Sequence, residues 1–306
     1  MTLPGPSART ALRTAVLDWY EGHARDLPWR HPETSAWGVL VSEVMLQQTP
    51  VARVEPRWRE WIARWPTPAD LAAAPTAEVL RAWDRLGYPR RALRLRAAAR
   101  AIVTEHAGVV PEDEQTLRTL PGIGHYTAAA VAAFAYGRRA VVLDTNVRRV
   151  LARAVRGEAL PPPSQRRSEG ELAESLLPDD GATAARFSVA VMELGALVCT
   201  ARSPGCQECP LLRRCAWLAA GRPEDAHAGR RRTQAWHGTD RQARGRVMAA
   251  LREQDQLGTA ELADLWPEAG QRERILAALV ADGLAAVQTD ADGVPLAYRL
   301  PVDEPH

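Results

Sequence analysis

Two acidic residues and four cysteines are the groups in this sequence whose setting could do chemistry. Glu43 is the only charge in the stretch from Ser35 to Thr49, SAWGVLVSEVMLQQT, which is apolar nearly all round from Trp37 to Leu46. A helix of that composition is buried, and a lone buried carboxylate costs several kcal/mol unless it is paired or protonated. Glu43 is therefore either a structural carboxylate satisfied by a nearby arginine or a general acid with a raised pKa. Asp144 ends an apolar run and opens Asp-Thr-Asn ahead of a helix, where it can cap that helix or face a reacting centre. Cys199, Cys206, Cys209 and Cys215 are spaced C-x6-C-x2-C-x5-C. Four thiolates so placed can hold zinc or a [4Fe–4S] cluster. The bunched gaps, unlike the two separated C-x2-C pairs of a zinc ribbon, favour the cluster, with Arg202, Arg213 and Arg214 beside it to meet phosphates.

Asp144 is delivered by the stretch Leu120–Asn146, LPGIGHYTAAAVAAFAYGRRAVVLDTN. Leu120-Pro121-Gly122-Ile123-Gly124 reads as a tight turn that exposes backbone N–H groups at a helix start, a setting that suits a phosphate. G-x-G turns are common, so this signal is moderate by itself.

The chain has 306 residues, enough for two or three domains and a substantial core. All 39 basic residues are arginine, and the formal net charge is +2. Without lysine no side chain can form a lysine Schiff base. No apolar run is long enough to span a bilayer, and MTLPGPSARTALRTA lacks the apolar core of a secretion signal, so the expected location is cytoplasmic. Clustered cysteines in that compartment point to metal rather than disulfides.

Apolar periodicity predicts an amphipathic helix over 8–22, the buried helix 35–49, a helix at 56–65 with Trp58, Trp61 and Trp65 in the core, and short helices at 68–74 and 76–84. A basic helix follows from Pro89 to about Gly108, with Arg90, Arg91, Arg94, Arg96 and Arg100 read as a solvated face. Short helical stretches at 112–118, after Asn146, and near 169–177 and 181–197 complete this part. The composition turns polar and arginine-rich from Gly221 to Gly238, which reads as a linker. The tail, 239–306, predicts helices at 240–254, 259–266 (capped by Thr259) and 269–282. Two strands, 284–288 and 294–300, are joined by a Thr-Asp-Ala-Asp-Gly turn. Three helices and a hairpin match a winged-helix module, which serves equally for DNA or for protein contacts.

Together the glycine hairpin, the aspartate 20 residues beyond Gly124 and the cysteine loop resemble the helix-hairpin-helix DNA glycosylases of the endonuclease III superfamily. Within them the chain resembles the MutY-type adenine DNA glycosylases over about residues 8–220. The likeness is carried by LPWR (27–30), SEVMLQQT (42–49), LGY (86–88), LPGIGHYTA (120–128), LDTNVRRV (143–150) and LGALVCT (194–200). It implies a mainly α, two-lobed fold with a [4Fe–4S] loop, plus the small winged-helix-like α+β tail in place of the family's Nudix-like domain. The expected boundaries are 1–28 with 141–221 for the cluster domain, 29–140 for a six-helix domain, 222–238 for the linker and 239–306 for the module. The resemblance implies adenine removal from A:8-oxoguanine or A:G pairs in double-stranded DNA by a monomer. Glu43 would be the acid and Asp144 the stabiliser of a sugar cation, with Tyr126 and Asn146 in support. Gln48 and Tyr88 would wedge into the duplex, and Gly122, Gly124 and Arg30 would contact it. Cys199, Cys206, Cys209 and Cys215 would hold the cluster. Tyr126 stands where strand-cutting members carry lysine, which implies base removal alone. Ser188-Val189 departs from the amide or acid that the family often sets after the phenylalanine at 187, and LDTN replaces the commoner LDGN. Thymine or uracil excision within the same superfamily, and a non-catalytic iron–sulfur DNA-binding regulator, are the competing readings.

Overall fold

In the computed structural model, residues 5–230 and 236–303 are described. The helices in chain order are α1 (Pro6–His23), α2 (Ala36–Leu46), α3 (Val51–Arg64), α4 (Pro68–Ala73) and α5 (Thr76–Trp83). Next come α6 (Arg90–Glu105), α7 (Glu114–Leu117), α8 (His125–Tyr136), α9 (Thr145–Leu151), α10 (Arg167–Leu176) and α11 (Gly181–Leu197). After α12 (Ala216–Ala219), α13 (Asp240–Glu253), β1 (Leu257–Gly258), α14 (Thr259–Leu265), α15 (Ala269–Ala281), β2 (Ala286–Thr289) and β3 (Pro295–Arg299) form the tail. Among the described residues, no helix is long and apolar enough to cross a membrane.

The chain divides into two compact units, one of residues 1–39, 111–119 and 123–233, the other of 40–110, 120–122 and 234–306. Beside the expected boundaries, residues 29–39, 111–119 and 123–140 group with the first unit, and the module shares the second unit with 40–110. The alanine face of α8 meets α11, so the helix after the hairpin joins the first unit. The C-terminal module is bonded to α5 and α6 and joins the second. Of the expected linker, 231–235 lie outside the described residues, and Ala228–Arg230 makes a single 3-10 turn.

The first unit is built on α1, α9, α10 and α11. Leu12, Val16 and Trp19 recur on one face of α1 and meet Val147, Val150 and Leu151 of α9, Leu172 and Leu176 of α10, and Phe187, Val191 and Leu194 of α11. Asp180 caps α11 by accepting the Thr183 N–H at 2.8 Å. Arg13 satisfies the last carbonyls of α10, donating to Leu176 O at 2.6 Å and Leu177 O at 2.7 Å, groups a helix end otherwise leaves open. Gly181 is required by contact: a Cβ there would lie 2.4 Å from Gly137 O.

The second unit has the expected tryptophan core. Trp58, Trp61 and Trp65 are buried, and Trp61 stands edge-on to Trp65 at 4.6 Å and to Trp83 at 5.5 Å, the geometry aromatic quadrupoles favour. Its module is the expected three helices and hairpin, with β1 completing an antiparallel sheet of order β1-β3-β2. Gly258, and not Thr259, is the N-cap residue of α14, and the Glu261 carboxylate takes its N–H at 2.7 Å. Among the described residues four bonded points join the module to the helices, one of them Arg81 on Asp255 at 3.5 Å. Asp303 accepts from Arg96 at 3.0 and 2.7 Å and from the Thr76 N–H at 3.0 Å. Arg252 donates to Leu80 O at 3.1 Å. Asp282 takes Arg244 at 2.6 Å and Arg90 at 3.2 Å.

Candidate functional site

Asp144 sits on the N-terminus of α9, as its position before a helix predicts. One carboxylate oxygen accepts the Val147 N–H at 2.6 Å, and the other accepts the Asn146 amide at 2.8 Å. The orientation of that amide is fixed from behind. Arg149, buried on α9, donates to Asn146 Oδ1 at 2.8 Å, to Gly195 O at 2.6 Å and to Cys199 O at 2.6 Å. With its oxygen held by Arg149, Asn146 must turn its N–H toward Asp144. Burial raises the Asp144 carboxyl above its ordinary value, although the Val147 N–H, Asn146 and the Arg149 charge all favour the anion. The result is a half-buried carboxylate held in one orientation, as stabilising a developing cation requires.

Gly195 is a site residue that the sequence reading did not single out. A Cβ there would lie 2.7 Å from Asn146 Cβ and 2.9 Å from Asn146 O. Glycine to alanine within a helix normally stabilises by up to about 1 kcal/mol. Here the sign is expected to reverse: Gly195→Ala should lower the melting temperature and displace Asn146 from Asp144, reducing the catalytic rate. A calorimetric scan showing stabilisation with full activity would contradict this.

Glu43 lies on α2 and is 5% exposed, as the apolar helix predicts. Gln48 and Tyr88 lie on the loops after α2 and before α6. Both are exposed, and both hold left-handed backbone at φ 57° and φ 46°. Such conformations cost non-glycine residues about 1–3 kcal/mol and gather at functional sites. The two loops are stitched by Arg91, which the sequence reading placed on a solvated face and which is buried. One guanidinium nitrogen donates to Val44 O, Met45 O and Gln47 O at 3.0, 3.1 and 2.5 Å. Another donates to Thr49 Oγ1, Leu86 O and Gly87 O at 3.0, 3.1 and 3.0 Å. Burial lowers the Arg91 pKa to about 10, with the neighbouring Tyr88 opposing that shift. Arg91 thus holds both strained loops in register.

At the hairpin, Gly122 has φ 78°, and a Cβ there would meet Arg94 Cβ at 2.7 Å, so both dihedral and contact call for glycine. Gly124 is the N-cap residue of α8 and brings no side-chain cap, while Gly122, Gly124 and His125 are exposed. The first N–H groups of α8 therefore have no capping side chain over them. Tyr126 follows, half-buried in the first turn. Arg30, expected to contact the duplex, is half-buried. It joins Arg25 on the buried Glu193, at 2.8 and 2.7 Å. Burial alone would raise the Glu193 carboxyl, but the two arginines overcome it and hold it near 2. Arg30 thereby takes part in a buried ion-pair network. Ser188 is buried and lines an apolar cavity with Val142, Phe187 and Val191, inside the first unit's core.

The cysteine loop is anchored by Arg153, on the wide π-helical turn Ala152–Arg156 that ends α9. Arg153 donates to Cys199 Sγ at 3.4 Å and to Thr200 O and Ala201 O at 2.7 and 3.0 Å, and lies 4.7 Å over the Trp217 ring. Cys215 Sγ in turn donates to Arg153 O at 3.5 Å. Burial raises the Cys209 thiol to about 11, and the nearness of Cys199, Cys215 and Cys206 pushes it the same way. Thiols gathered like this resist ionising separately, and a metal centre lets them ionise together. Among the described residues, no three His, Cys, Asp or Glu side chains are close enough to hold a single metal ion.

The chain's likeness to known proteins agrees with this geometry. Residues 41–175 match the HhH-GPD superfamily of base excision DNA repair proteins. An adenine DNA glycosylase of Mycolicibacterium smegmatis is 55% identical over 91% of this chain and 93% of its own length. This chain belongs to the adenine DNA glycosylases. One from Mycobacterium tuberculosis is 52% identical over 94% of this chain and 95% of its own. At that coverage the likeness to both adenine DNA glycosylases runs into the C-terminal module. The structure of a thermostable thymine-DNA glycosylase superposes with a TM-score of 0.62 at 26% identity, covering 70% of this chain and 98% of that one. The mainly helical helix-hairpin-helix fold is thereby established.

Proposed function

We propose that the protein is a monofunctional DNA glycosylase that removes adenine paired with 8-oxoguanine or guanine and leaves an abasic site. The observation that carries this reading is the identity to adenine DNA glycosylases along nearly the whole chain, with Glu43 and Asp144 both in settings suited to an acid and an anion. The target adenine leaves the base stack, at a cost of a few kcal/mol. Glu43 gives its proton to N7, so the glycosidic electron pair departs onto a neutral base. Asp144 stabilises the oxocarbenium-like sugar until water adds to its anomeric carbon. Asn146 keeps Asp144 oriented, and Tyr126 supports the same sugar. Gln48 and Tyr88 enter the duplex from their strained loops, while the amides around Gly122 and Gly124 take a phosphate. With no lysine in the chain, strand scission waits for alkali.

The four cysteines would hold a [4Fe–4S] cluster, which supplies no bond-making step and fixes the loop 199–215 against DNA. The bunched spacing C-x6-C-x2-C-x5-C, unlike the two separated C-x2-C pairs of a zinc ribbon, supports that choice over zinc. Iron and sulfide analysis of anaerobically purified protein is expected to return both in cluster proportion. Stoichiometric zinc without iron would contradict it.

Glu43→Gln is expected to fold and to bind an A:8-oxoguanine duplex with wild-type affinity, yet to release adenine at least about a hundredfold more slowly in single-turnover assays. A rate near wild type would remove Glu43 from the mechanism.

A further inference from the structure

The module's Arg241 has a setting that neither its docking nor the chemistry above accounts for. It is exposed on the first turn of α13, and among the described residues no carboxylate is paired with it. Its guanidinium lies 5.6 Å from the Tyr88 ring and 5.2 Å from the Trp236 ring. Tyr88 is 46% exposed and Trp236 is 47% exposed. An arginine that merely docked the module would be buried or ion-paired, as Arg96 and Arg244 are. Docking is already provided by Asp303, Arg252 and Asp282. Two exposed aromatic rings with an unpaired cation between them form the composition that grips a nucleic-acid strand, through stacking and a phosphate contact.

We infer that the C-terminal module is part of the duplex-binding surface, with Arg241 contacting the phosphate backbone beside the step that Tyr88 enters. This rests on the reading of Tyr88 as a wedge. A tyrosine inserted between bases offers its faces to them, so Arg241 leaves the ring and turns its charge to the flanking phosphates. Trp236 gives the guanidinium a second aromatic face and keeps it at that edge. The module, which reads from sequence as fit for DNA or protein, is thereby assigned to DNA.

The test measures affinity for an undamaged, dye-labelled duplex by fluorescence anisotropy across a salt series, with the full-length protein. Arg241→Ala is expected to lower the slope of log affinity against log salt by about 1. Arg241→Lys, which keeps the charge, should restore that slope. Arg246→Ala is the control, since Arg246 is an exposed arginine on the same helix that lies over Trp266 instead; its slope should stay at the wild-type value. Circular dichroism melts would show that each variant folds. An unchanged slope in Arg241→Ala, or an equal fall in Arg246→Ala, overturns the inference and leaves the module for a protein partner. Because the duplex holds no target base, a wild-type protein that released no adenine would sink the glycosylase reading without altering this result.

Discussion

Asp144→Asn is expected to slow adenine release by about 10²–10³-fold, the loss typical of removing one aligned electrostatic stabiliser, while the protein melts no lower than wild type at pH 7. Asparagine still caps α9, because its side-chain oxygen can accept the Val147 N–H that Asp144 accepts at 2.6 Å. Burial raises the Asp144 carboxyl above 3.8 in the folded chain. A carboxyl raised on folding is bound more tightly to its proton there than in the unfolded chain. Its ionised form therefore weighs against the fold at neutral pH, and that penalty vanishes as pH falls below 3.8. The asparagine carries no such penalty at any pH, and this offsets the hydrogen bond lost where its amide N–H faces the Asn146 N–H. Rate and stability should thus part company in this variant, and the wild-type rate should fall as pH drops through the raised pKa. A variant that lost activity only by unfolding, seen as a collapse of its melting transition at pH 7, would assign Asp144 to structure.

Arg91→Ala is expected to cost about 3 kcal/mol, since it leaves several buried carbonyls without donors at once. Affinity for duplex DNA should drop as well, because Gln48 and Tyr88 lose the group that fixes their loops. Lysine should recover little of either effect. Its single ammonium cannot reach across the acceptors that the planar guanidinium bridges between Val44 O and Gly87 O. Urea melts and anisotropy titrations on the two variants check this. An Arg91→Ala protein of wild-type stability and affinity would show that the loops hold their shape unaided.

What the sequence made legible was whatever depends on local pattern. The apolar surround of Glu43, the tryptophan spacing on α3, the cap position of Asp144 and the hairpin glycines all follow from periodicity or turn chemistry. The partners of the arginines were not legible. Arg91 and Arg96 share a helix face pattern with Arg94 and Arg100, yet two are buried on distant carbonyls and carboxylates and two are exposed. Pro56 marked an expected helix start, but α3 begins at Val51 and carries the proline inside it. A proline signals a local preference for the first turn, and tertiary packing around Trp58 and Trp61 overrode it. β1 escaped notice because two residues have no periodicity to read. Gly195 could have been found only through its contact with Asn146, 49 residues away in sequence.

The central claim is the base that leaves and the bond left intact. A panel of labelled duplexes carrying A:8-oxoguanine, A:G, T:G and U:G, incubated with the wild-type protein with and without alkali, tests it most directly. The account predicts free adenine from the first two, faster from A:8-oxoguanine, with strands cut only after alkali. Release of thymine or uracil without adenine, or scission before alkali, would contradict it.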